Sequence, residues 1–181
     1  MTWLTIIVGI IIVWYLIRVL GSKLIYYKKT RIEDFPRFLG SLMVQFDDGG
    51  LLFFQHEGSD RFLQFVKYIQ DGKESLNFGF PDAPWSRMYF DRVKECLQSG
   101  NISFEITKTE REDTRSFLDV YDISSIEEAS KISILVIQAM GLSSEDTFTT
   151  HFEGKFNMKV WRANSDKYNK YLKRHLTSHS S

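Results

Sequence analysis

The sequence predicts an α+β fold: a hairpin-rich antiparallel sheet with two or three packed helices, preceded by a single transmembrane helix. Three observations predict it. Turn signals separate short runs in which apolar and polar residues alternate. Two longer stretches carry apolar residues at helical spacing, with capping residues at their starts. Residues 1–20 form one almost unbroken apolar run.

That run comes first. Residues 3–17 carry no charge and are mostly Ile, Leu, Val and aromatic. Extended through Arg18-Val19-Leu20, a helix here reaches about 27 Å, close to a hydrocarbon core of roughly 30 Å. The long stem of Arg18 can snorkel, and Trp3, Trp14 and Tyr15 lie toward the ends, where amphipathic rings favour the interface. A secretory signal peptide needs basic residues before its apolar run and a small-residue cleavage site after it. Here Arg18, Lys23, Lys28, Lys29 and Arg31 all follow the run, and no Ala-x-Ala-like triplet appears. The expectation is a membrane anchor over 1–20 and a basic juxtamembrane linker over 21–33. The positive-inside rule then puts the N-terminus outside and the rest in the cytoplasm, at the inner membrane if the cell is bacterial.

The next unit, 34–160, reads as one α+β domain. Residues 42–46 and 51–55 flank Asp47-Asp48-Gly49-Gly50, a hairpin loop whose glycines tolerate positive φ. Residues 62–70 and 73–80 flank Asp71-Gly72, suited to a type I′ turn. Asp82 can cap a helix carrying Trp85, Met88, Tyr89, Val93, Cys96 and Leu97 on one face, with Gly100 as the stop. Ile102, Phe104 and Ile106 alternate with polar residues as a strand, and Leu118 and Val120 mark its hairpin partner. Ser124 and Ser125 each precede a glutamate by three residues, so a capping box opens a helix running through Ile132, Ile134, Val136 and Ile137 to Gly141. This helix is apolar nearly all round and is placed deepest in the core. A last strand puts Phe148, Thr150, Phe152 and Phe156 on one face, with Thr149, His151 and Glu153 on the other.

Residues 161–176 form a basic amphipathic segment, followed by a frayed tail over 177–181. Trp161, Tyr168 and Tyr171 recur at roughly helical spacing among Lys167, Lys170, Lys173 and Arg174. Such a composition suits contact with an anionic membrane surface; the plainer alternative is packing on the acidic domain itself. The chain is formally neutral, with 23 basic and 23 acidic side chains, but the charges are segregated. Residues 1–31 contain no acid, residues 161–181 contain only Asp166, and the remaining acids lie between. An acidic middle argues against nucleic acid as a partner. The lone Cys96 excludes an internal disulfide framework and a multi-cysteine zinc site.

No phosphate-binding glycine loop, nucleophile elbow or His-Glu-x-x-His motif is present. The four histidines, His56, His151, His175 and His179, have no metal-site spacing worth a claim, and no cofactor is expected. Two segments place a histidine beside a carboxylate: His56-Glu57 in a loop and His151-Phe152-Glu153 on the last strand. A base oriented by an acid is one component of a hydrolytic site, although Ser59, Ser86 and Cys96 carry no mark of a nucleophile. The plainer reading makes these residues a polar loop and a solvated strand face. The segment Pro81-Asp82-Ala83-Pro84-Trp85 offers either a rigid platform for a partner or a helix start anchored by Trp85.

Over residues 40–141 the order of elements resembles the secretion-chaperone fold, in which helices interrupt a hairpin-rich sheet. The resemblance rests on element order and transfers no residue role. The expected function is that of a membrane-anchored adaptor whose acidic domain binds another, basic, protein without doing chemistry, for example as an immunity or regulatory protein. The alternative is a membrane-tethered hydrolase using His56 with Glu57 or His151 with Glu153.

Overall fold

The computed structural model describes residues 25–109 and 113–155. Among the described residues seven strands form one sheet: β1 (Ile25–Thr30), β2 (Leu51–His56), β3 (Phe62–Gln70), β4 (Lys73–Pro81), β5 (Glu105–Lys108), β6 (Ser116–Ile123) and β7 (Phe148–Glu153). Their order across the sheet is β1-β7-β2-β3-β4-β6-β5, with every neighbouring pair antiparallel. The described residues also form three α-helices, α1 (Phe35–Gln45), α2 (Arg87–Ser99) and α3 (Ile126–Ala139), giving an α+β architecture.

One face of the sheet is the core. Leu52 and Phe54, Leu63 and Phe65, Leu76, Phe78 and Phe80, Leu118 and Val120, and Phe148 and Phe152 are all buried and share that face. The helices bring Phe35, Leu39 and Leu42, Val93 and Leu97, and Ile132, Val136 and Ile137 against them. Phe35 stacks on Phe54 at 3.7 Å between ring centroids. Each such side chain contributes about 1.5–3 kcal/mol by leaving water.

Both expected helices form. Ser125 caps α3 by accepting from the Glu128 N–H at 3.1 Å, and Gly141 follows with a positive φ of 72°. The helix is less uniformly buried than its composition suggests, since Ile134 is 42% exposed. Asp82 does not cap α2. Its carboxylate pairs with Arg87 Nε at 3.0 Å, while the buried Ser86 hydroxyl accepts from the Ala83 N–H and donates to the Pro81 carbonyl.

Several expectations are corrected. Residues 42–46 do not form a strand, because Phe35, Phe38, Leu39 and Leu42 continue one helical stripe into them, opened by Pro36 in the first turn. Residues 25–30, read as linker, form the edge strand β1 beside β7. The single-pass membrane placement is also corrected. Among the described residues no helix is long and apolar enough to cross a membrane. The longest, α3, has 14 residues, about 21 Å against a core of roughly 30 Å. The expected span over 1–20, with Trp3, Trp14, Tyr15 and Arg18, lies outside the described residues, as does Lys23. So does the basic segment carrying Trp161, Lys167, Tyr168, Lys170, Tyr171, Lys173 and Arg174.

Candidate functional site

Strand pairing puts the residues between the core positions on the opposite face. One row crosses six strands there: His151 on β7 pairs with Phe53 on β2, Phe53 with Gln64, Gln64 with Gly79, Gly79 with Asp119, and Asp119 with Glu105 on β5. Among the described residues no helix covers this face. Over β3, β4 and β6 it hollows into a groove of about 410 Å³, within the usual size range of ligand sites.

The groove owes its shape to residue size. Gly79 forms part of the floor, and a Cβ there would lie 3.2 Å from Asp119 Oδ1, so the missing side chain lets that carboxylate lean over β4. Tyr121 donates to Asp119 Oδ2 at 3.3 Å. Phe117 and Tyr121 from β6, with Phe62 and Trp85, supply aromatic lining. Trp85 packs on Phe62 at 4.7 Å and edge-to-face on Phe80 at 5.8 Å, so it fixes the start of α2 and presents a surface to the groove.

The two histidines do not meet. Cross-strand pairing puts His56 in the core-side row, opposite Phe148, and His151 in the open-face row, opposite Phe53. His151 stacks on Phe53 at 4.6 Å, and its Nε2 lies 3.8 Å from Glu153 Oε1. Burial pushes the His151 pKa below the usual histidine value, with the Glu153 charge opposing.

His56 joins a different set. Its Nδ1 lies 2.7 Å from Ser59 Oγ, and its Nε2 lies 3.3 Å from Asp146 Oδ1. Asp146 also accepts from the Ser143 N–H at 2.6 Å and the Ser143 hydroxyl at 3.1 Å. That backbone N–H, then the hydroxyl and His56, holds the carboxyl below the usual range. Glu57 turns to other partners. It accepts from the Lys29 N–H at 3.0 Å and from the hydroxyls of Thr147 and Thr149, and the Lys29 bond leads in lowering its pKa. Lys29 itself has a positive φ of 57° at the irregularity in β1, whereas Lys28 precedes it in the same strand. A smaller cleft of about 370 Å³ between α1 and the start of α3 is edged by Glu74 and Glu127. Neither cavity is lined by His56, Ser59 or Asp146.

The sequence marked His56, Glu57, His151 and Glu153, but not the groove. Its signal lies in β6, where Phe117, Asp119 and Tyr121 alternate with the buried Leu118 and Val120. Among His, Cys, Asp and Glu of the described residues, no group of three or more is placed to hold a metal ion. Compared with known proteins, the chain matches no family model, no curated protein and no solved structure. The secretion-chaperone resemblance gains no support from these comparisons, and the helix through 42–45 removes one strand from the element order it rested on.

Proposed function

We propose that this chain is a protein-binding module without chemistry of its own, and that a basic segment of another protein docks on the open face of its sheet. One observation carries the reading: an aromatic-lined groove lies on the face that the helices leave open. Charge supports the choice of partner, because residues 32–160 hold 22 of the 23 acidic side chains and only 13 of the 23 basic ones. A photo-crosslinking amino acid in place of Phe117, in cells, is expected to capture one discrete protein with a basic docking segment. The same group in place of Ile134 on α3 should not capture it, and Trp85→Ala should reduce the yield from Phe117. Capture from Ile134 alone, or from neither position, would sink the proposal.

A specific observation favours a second reading. Ser59, His56 and Asp146 form a hydrogen-bonded chain, the arrangement by which a histidine can take a serine proton while a carboxylate orients the ring. A fluorophosphonate probe should then label Ser59 in the parent and not in His56→Ala. Absence of labelling in the parent ends that reading.

A further inference from the structure

We infer that the groove is built for a cationic side chain, arginine in preference to lysine, with Asp119 in its lining as the counter-charge and Glu105, exposed on the adjacent strand, adding to the negative field; the inference rests on the open face being the docking surface. The strand register puts Glu105 and Asp119 directly opposite each other on that face. Like charges in this relation destabilise a sheet. Among the described residues neither is paired with a lysine or arginine, and the polar side-chain contact of Asp119 is the hydroxyl of Tyr121. A cation from a partner would relieve the repulsion in the bound state, so the pair favours basic occupants over neutral ones.

The groove walls sharpen the choice. Trp85 and Phe62, packed at 4.7 Å, line it with Phe117 and Asp119. An aromatic face attracts a cation through its quadrupole, most strongly for tryptophan. A planar guanidinium can lie against a ring while it donates two parallel bonds to a carboxylate, which an ammonium cannot do. Gly79 leaves the space beside Asp119 Oδ1 that such an approach requires.

The test is an NMR titration of the ¹⁵N-labelled full chain with Nα-acetyl-arginine amide and with its uncharged isostere Nα-acetyl-citrulline amide. The arginine amide should give saturable shifts at the Gly79 and Asp119 amides and the Trp85 indole, with at least tenfold tighter binding than the citrulline amide. Asp119→Asn should remove that preference, and Glu105→Gln should reduce it, both with an otherwise unchanged spectrum. Equal binding of the two amides, shifts confined to other surfaces, or a preference that survives Asp119→Asn would overturn the inference. If crosslinking from Phe117 captures its partner while the two amides bind equally, the docking face stands and the cationic subsite falls.

Discussion

Lys67 is only 2% exposed, yet it projects into the core side of β3. Its ammonium group donates to the Met43 carbonyl in the last turn of α1 and to Glu74 Oε1 at 3.1 Å. Helix ends leave carbonyls without intrahelical partners, so Lys67 acts as a cap supplied from the sheet. The two bonds differ in worth. Glu74 is 51% exposed and regains water if the pair is broken, whereas the carbonyl would lose a donor inside the protein. Lys67→Met should therefore cost about 1–3 kcal/mol, and Glu74→Gln less than about 1 kcal/mol, as read from urea midpoints. Equal losses would show that the ion pair matters more than the cap. At His151 the sign of the pH effect follows from burial. Its folded pKa lies below the unfolded value of about 6.5, so the unfolded chain binds more protons. The associated stability is complete above about pH 6.5 and is lost as pH falls through the folded pKa. Between pH 7.5 and 5.5 the melting temperature of the parent should fall further than that of His151→Phe.

At the scale of elements, β7 organises the fold by lying between β1 and β2. Glu57 helps to seat β1 there, through the Lys29 N–H on one side and Thr149 on the other. Glu57→Ala should speed amide hydrogen exchange in residues 25–30 while leaving Phe54 and Phe65 in β2 and β3 protected; equal acceleration everywhere would mean that β1 is not an independent unit. In α3, Ile137 is fully buried, and Ile137→Asp should abolish cooperative unfolding because an unpaired charge there exceeds the stability margin of a small domain. The same elements show what was legible. The residues of α3 declared both its start and its period, and the alternation in β4 and β7 matched their burial, whereas the sequence of β3 carries no such alternation, with Lys67 on its buried side. The helix α1 was obscured because residues 42–46, taken by themselves, look like a short apolar strand before a hairpin loop. The strand β1 was obscured because six residues next to a basic cluster carry no lasting alternation. For the candidate sites, Ser59 and His56 are neighbours in sequence, but Asp146 arrives from 90 residues away. The groove depends on which sheet face the helices leave open, which local periodicity does not encode.

At the scale of the molecule, the sheet has a helix-covered face and an open one, and the proposed reading gives recognition to the open face. The buried aromatics hold the first, and on the second a groove lined by half-buried Phe62, Trp85, Phe117 and Asp119 would, under that reading, receive a partner of opposite charge. Such an association should weaken with salt, since exposed charges are screened within about 8 Å at physiological ionic strength; affinity independent of salt would remove charge from the account. The most direct measurement is calorimetric titration of the partner captured from position 117 into the full chain, its Phe117→Ser variant and its Ile134→Ser variant. At least a tenfold loss of affinity is expected for Phe117→Ser and none for Ile134→Ser, with both variants folded. Equal affinity for all three proteins, or a loss confined to Ile134→Ser, would contradict it.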